Sequence, residues 1–267
     1  MVRFFLRPRW IVGHLAVVLA IVVMANLGVW QLRRLDERRA YNQLVAGRTS
    51  AATADLADLV ELDGDAAATD FRRVRATGRF DGTEDVLIGY RSLNGISGHH
   101  VVTPLVLDDG TAVLVNRGWV PAHYAEDWPV AEAASPDGVL EVTGYLRAPE
   151  TRGSFGPRDP DDGELRIVSR VDVDRIARQI DAPVRPFWIQ METPVPADGI
   201  PVPVPVPDLG EGNHLSYAVQ WFFFAAGAGV GWVVLLRVSA RRQTLARNAP
   251  SQENEPASPP TEVHGLS

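Results

Sequence analysis

The chain has 267 residues, a formal net charge of −7, 46% hydrophobic residues and no cysteine, and all 26 of its Lys/Arg positions are arginine. Without cysteine there is no disulfide scaffold, thiolate metal site, iron–sulfur cluster or cysteine nucleophile; without lysine there is no Schiff-base chemistry and no phosphate loop of the GxxxxGK[ST] type. The acidic balance argues against a nucleic-acid partner.

The hydrophobic residues are not spread evenly. From Trp10 to Trp30 the chain runs 21 residues without a charge (WIVGHLAVVLAIVVMANLGVW). As a helix this reaches about 32 Å, one hydrocarbon core. Leu215–Leu236 (LSYAVQWFFFAAGAGVGWVVLL) is a second uncharged run, of 22 residues. Both carry tryptophan near their ends, where interfacial anchors sit. A buried core helix is the rival for either run, but soluble cores rarely supply two this long. For the first, a cleaved signal peptide is the better rival; no A-x-A pattern closes it, and it continues directly into Gly28-Val29-Trp30-Gln31-Leu32-Arg33-Arg34. Orientation follows from the second run. Residues 195–213 hold Asp198, Asp208 and Glu211 and no arginine, whereas Arg237, Arg241, Arg242 and Arg247 follow it. The positive-inside rule then predicts cytoplasmic termini and an extracytoplasmic middle.

Residues 33–48 (RRLDERRAYNQLVAGR) predict a helix extending from the first span, and 49–70 an Ala/Asp-rich loop with a short helix around Asp55–Leu62. Strand signals then begin: Arg73–Phe80, Val86–Arg91, Val101–Leu107 and Thr111–Asn116, the last two joined by the hairpin signal Asp108-Asp109-Gly110, then Leu140–Arg147, Leu165–Ser169 and Phe187–Met191. Val173–Ile180 has helical spacing. Residues 194–207 (PVPADGIPVPVPVP) read as a polyproline-like tether, and the tail from Asn248 as disordered. The expected layout is an N-terminal tail (1–9), a first transmembrane helix (10–32), one domain (33–193), a Pro-rich linker (194–213), a second transmembrane helix (214–236) and a basic, then disordered tail (237–267). The predicted fold class is two transmembrane helices flanking one extracytoplasmic α+β domain, mostly antiparallel β, a small barrel or sandwich.

Chemistry-bearing residues concentrate at the outer ends of the two spans. His214, Tyr217 and Trp221 share one helix face by their i, i+3, i+7 spacing. They suit haem-iron ligation beside aromatic packing, or equally an interfacial histidine within an aromatic belt. Trp30 and Arg34 share a face of the first span, with Gln31 and Arg33 beside them; the arginines suit haem propionates or lipid phosphate. Gly28 lets another helix or a flat ligand approach. His14 lies at the opposite end and is expected to bond a neighbouring helix or snorkel. His99 and His100 are expected to point to opposite strand faces, and Trp119 serves as a surface anchor or a core residue. No H-E-x-x-H, G-x-S-x-G or G-x-G-x-x-G motif is present, so an enzyme is poorly supported.

Five segments in order carry a resemblance: Leu27-Gly28-Val29-Trp30-Gln31-Leu32-Arg33-Arg34-Leu35, Arg75-Ala76-Thr77-Gly78-Arg79-Phe80-Asp81, Val115-Asn116-Arg117-Gly118-Trp119-Val120-Pro121, Val142-Thr143-Gly144-Tyr145-Leu146-Arg147, and His214-Leu215-Ser216-Tyr217-Ala218-Val219-Gln220-Trp221-Phe222. With the two spans they resemble the surfeit locus protein 1 family, assembly factors for cytochrome c oxidase. Where that family usually has a lysine after the first motif, this chain has Asp36, Glu37, Arg38 and Arg39. The resemblance implies a non-enzymatic protein of a bacterial plasma membrane that handles haem a. It implies His214 as axial ligand, Trp30, Tyr217 and Trp221 against the macrocycle, and Arg33 and Arg34 at the propionates. Oxidase subunit I and haem a synthase are the candidate partners, beside the lipid bilayer. A tethered interaction module that stabilises oxidase subunits without touching haem is the alternative.

Overall fold

The computed structural model describes residues 7–59, 68–154, 156–197 and 199–248. In chain order the elements are α1 (Pro8–Thr49), β1 (Ala54–Asp55), β2 (Arg73–Phe80), β3 (Val86–Leu93), β4 (Ile96–Leu107), β5 (Ala112–Pro121), β6 (Val139–Arg147), β7 (Ile167–Val168), α2 (Val173–Ile176), β8 (Val184–Thr193) and α3 (His214–Asn248). The chain divides into two compact units, residues 1–39 with 211–267, and residues 40–210. The expected disordered tail beyond Asn248 and residues 60–67 of the expected 49–70 loop lie outside the described residues; of the short helix expected around Asp55–Leu62, Ala54–Asp55 is strand β1 and residues 57–59 form a single 3-10 turn.

The first unit is an antiparallel helix pair. Both helices are long and apolar enough to cross a membrane, and only 6% of either apolar stretch is buried within the protein. Val12, Leu15, Leu19, Phe223 and Val230 face outward. The less exposed positions of α1 include 14, 17, 21, 24, 28, 31 and 35, flanked by 13, 25 and 27, and those of α3 include 214, 218, 221, 225, 228 and 232, flanked by 229. The first set in each helix follows the 3.5-residue period of a helix–helix seam. Small residues bring the helices close: a Cβ on Gly28 would lie 2.8 Å from the Phe222 ring, and one on Gly229 3.7 Å from Ile21 Cδ1. The approach expected at Gly28 is therefore made by another helix.

The second unit is a closed sheet. Strands β2, β6, β8, β5 and β4 pair in that order, and β4 returns to β2 through Leu105–Leu107 against Gly78–Phe80. Only the β5–β8 contact in this ring is parallel. The farther part of β4 carries β3 and β7 instead, and β1 adds to β2. Inward residues alternate along β2 (Val74, Ala76, Phe80) and join Leu105, Val113, Val115, Val142, Leu146, Ile189 and Met191 in the barrel interior. Leu114 and Trp188 face the other way, under α2, with Val86, Val102, Val173 and Ile176. β5 is thus covered on both faces, which explains its nearly continuous apolar run.

Three elements exceed their sequence signals. β4 begins at Ile96 rather than Val101, because Asn94-Gly95 (φ 51° and 80°) forms a two-residue hairpin turn with β3. β5 runs on to Pro121 rather than ending at Asn116, through an arginine and a glycine that read as a break. The Pro-rich segment forms no named strand, yet Val202 exchanges two backbone hydrogen bonds with Trp119, of 2.7 and 2.8 Å, and Gln190 Nε2 donates to the Val204 carbonyl at 2.9 Å. It is pinned along the barrel rather than hanging free.

Candidate functional site

The seam of the helix pair ends in a polar cluster. Gln31 Oε1 lies 2.9 Å from His214 Nδ1. Two turns further along α1, Arg39 Nε and Nη2 donate to the two carboxylate oxygens of Glu211 at 2.8 and 2.9 Å. That bidentate bond holds the Glu211 carboxyl below the ordinary carboxylate range and raises the Arg39 guanidinium. Of the residues expected at this end, His214 is partly buried and joined to α1 through Gln31. Trp221 is partly buried and meets Phe224 edge-on at 6.1 Å. Trp30, Arg33 and Tyr217 are exposed. Arg34 is exposed too, and Nη1 donates to Glu37 at 2.6 Å. Apart from Gln31, no described side chain makes a hydrogen bond to His214. At the opposite end His14 Nδ1 accepts from Trp232 Nε1 at 2.9 Å, with the Trp10 ring tilted against both at 6.4 and 6.0 Å. His14 thus bonds the neighbouring helix.

A second polar centre lies inside the barrel unit, and the sequence signals missed most of it. Val101 pairs with Gly118 and Val102 with Asn116, so Arg117 is the extra residue of a β-bulge. A bulged residue leaves the ladder and its side chain is re-aimed. Arg117, 2% exposed, donates from Nε to Thr103 Oγ1 at 2.7 Å, and from Nη2 to Asp85 Oδ2 at 3.2 Å and to the Ala133 carbonyl at 2.8 Å. Thr103 Oγ1 in turn donates to Asp85. Burial raises the Asp85 carboxyl and lowers the Arg117 guanidinium, each opposed by its partner. Gly118 has φ 142°, and a Cβ there would lie 2.5 Å from the Val202 carbonyl oxygen. Only glycine allows the bulge to close against the Pro-rich segment. Trp119 is 6% exposed, a core residue rather than a surface anchor. Asn116 Oδ1 accepts from the Gly118 N–H at 3.0 Å, which turns its Nδ2 toward His100 Nδ1 at 3.1 Å. Burial, and secondarily the charge of Arg91, push His100 down to about 4. Asp85, Thr103 and Ala133 lie far from Arg117 in the chain, and no motif spacing links them.

The model of the SURF1 family matches residues 18–226. The chain belongs to the SURF1 family. A SURF1-like protein of Mycobacterium tuberculosis is 29% identical over 257 residues, covering 92% of this chain and 91% of the relative. The surfeit locus protein 1 of Takifugu rubripes is 26% identical over 223 residues, 78% and 90% of the two chains, and a SURF1-like protein of Rickettsia felis is 24% identical over 229 residues. The SURF1 match takes in both polar centres, from Gln31 to His214 and around Arg117. Among the described residues no group of three or more His, Asp or Glu is placed to hold a bare metal ion.

Proposed function

We propose that this SURF1 protein is a non-catalytic assembly factor for a haem–copper cytochrome c oxidase, aiding delivery or insertion of haem a into subunit I at the outer face of a bacterial plasma membrane. The Gln31–His214 hydrogen bond carries the reading. A carbonyl oxygen facing Nδ1 makes Nδ1 the donor, so Nε2 keeps its lone pair. Acceptors behind metal-ligating histidines impose this same tautomer. His214 Nε2 would hold haem a, whose iron would supply a Lewis-acidic centre for an imidazole nitrogen.

The neighbouring residues fit such a group. Trp30 and Tyr217 offer exposed aromatic surface and Trp221 a partly buried ring. Arg33 is exposed and makes no hydrogen bond with the described residues, leaving its guanidinium for a propionate. Arg34 offers a second cation by leaving Glu37, an exposed ion pair of little energetic weight. The charge asymmetry around α3 supports cytoplasmic termini with the barrel unit outside. Residues 40–213 hold 15 arginines against 28 acids, and the remainder 11 against 5. Subunit I, and haem a synthase as the source of the group, are the partners this role requires.

The test is an absorption spectrum of the detergent-purified protein from cells that make haem a, beside His214→Ala. The wild type is expected to carry a Soret band and the variant to lose it. Unchanged haem occupancy in the variant removes His214 from the site. Co-purification of subunit I with no Soret band in any preparation makes the protein a tethered interaction module instead.

A further inference from the structure

The barrel unit holds a cavity of about 190 Å³ lined by Phe80, Arg117, Met191, Pro194, Pro196 and Pro201, among others. None of the other described lining side chains carries a hydrogen-bond donor, so among the described residues Arg117 is the one side-chain donor at its walls. A guanidinium has five N–H groups. Nε is engaged with Thr103, and Nη2 with Asp85 and the Ala133 carbonyl. Nη1 bonds no described residue, yet it is not among the sealed, unpartnered atoms of the core, such as Trp119 Nε1. A side chain only 2% exposed, whose one unbonded nitrogen is still reachable, opens onto the cavity that it lines. The β-bulge gives up ladder pairing to aim it there.

We infer that this cavity is a binding site for a small, uncharged, apolar molecule bearing a carbonyl oxygen, with Arg117 Nη1 as the donor. Three observations select that chemistry. Asp85 already neutralises Arg117, so an added carboxylate would leave a net negative charge in a poorly solvated place. Burial already raises the Asp85 carboxyl and lowers the guanidinium there. Nε and Nη2 are committed, so the two-nitrogen fork that binds a carboxylate side-on is not available, whereas a carbonyl needs only one donor. The volume equals about six waters' share of liquid and falls below the ~300–1,000 Å³ of drug-sized pockets. It suits one ring with a short substituent.

The test titrates the full chain in detergent with 4-fluoroacetophenone, followed by fluorine NMR. Beside it run 1-ethyl-4-fluorobenzene, which matches its shape without the oxygen, and 4-fluorobenzoate. Ala197 lies exposed on the cavity rim, so Ala197→Trp adds an indole at the cavity mouth and replaces no buried side chain, and its spectrum in the same detergent removes partitioning into micelles. The ketone is expected to bind at least about tenfold more tightly than the ethyl compound, the effect of one hydrogen bond to a charged donor, and to lose its site in Ala197→Trp. Equal binding of ketone and ethyl compound, tightest binding of the benzoate, or full retention of ketone binding in Ala197→Trp would each overturn the assignment.

Discussion

Each unit holds one histidine by a side-chain amide, and the two amides face opposite ways. In the helix pair Gln31 presents its oxygen to His214 Nδ1, so the imidazole donates there and keeps a lone pair at Nε2. In the barrel unit Asn116 presents its nitrogen to His100 Nδ1, so the lone pair is consumed at Nδ1 and the hydrogen sits on Nε2. The first arrangement leaves a nitrogen able to meet a metal; the second holds a neutral imidazole that resists protonation. What decides is the third partner. Asn116 cannot turn over, because its oxygen is already taken by the Gly118 N–H of the bulge. The role of a histidine is thus set by the group that orients its neighbour.

The contrast is broken most severely at the barrel's ion pair. Asp85→Leu leaves Arg117 charged and buried with no counter-ion, and is expected to destabilise the barrel unit by about 3–5 kcal/mol, read from guanidinium unfolding. Loss of less than about 1 kcal/mol would show that Arg117 reaches water. His100 comes next. Its folded value is about 4, while an unfolded histidine titrates near 6.5. The unfolded chain therefore takes up the proton first. The stability due to a neutral His100 is complete above pH 6.5 and is lost as the pH falls toward 4, by about 3 kcal/mol in all. His100→Gln should remove that slope between pH 7 and 4.5. An unchanged slope would assign the acid sensitivity elsewhere, for instance to His99, which burial also lowers.

Most elements were legible in the sequence, because period 2 and uncharged length are local properties. β2 was bounded correctly, and the Asp108-Asp109-Gly110 hairpin holds, with Asp109 Oδ1 accepting from the Thr111 N–H at 2.8 Å. The C-terminal half of β5 was not legible, since arginine and glycine signal a break unless a bulge and a buried carboxylate accommodate them. Neither was Val202, whose two hydrogen bonds to Trp119 fall between prolines that argue against any pairing. At the helix pair the sequence pointed to His214, Trp30 and Gln31, but not to the bond joining the first to the last, across 183 residues. Helical spacing tells which residues share a face on one helix and nothing about the register of two. Glu211 with Arg39 was missed for the same reason.

The smallest effect sharpens the comparison within the helix pair itself. Trp232 Nε1 donates to His14 Nδ1 at the end opposite His214. Hydrogen bonds between helices in lipid are worth about 0.6 kcal/mol on average, because the separated helices find other partners. Trp232→Phe removes the donor and keeps an aromatic ring against Gly13, where a Cβ would lie 2.8 Å from the Trp232 ring. A double-mutant cycle with His14→Phe, read by thermal unfolding in detergent, should therefore give a coupling of about 0.6 kcal/mol. The Soret band expected of the wild type should survive both changes. His14 and Gln31 lie seventeen residues apart on α1, about 25 Å along the helix, and the seam between them is packed by small, aliphatic and aromatic side chains, with no chain of side-chain hydrogen bonds among the described residues linking the two ends. A Soret band lost in Trp232→Phe as fully as in His214→Ala would mean that the two ends are coupled through helix register, and that His214 owes its orientation to the whole seam rather than to Gln31.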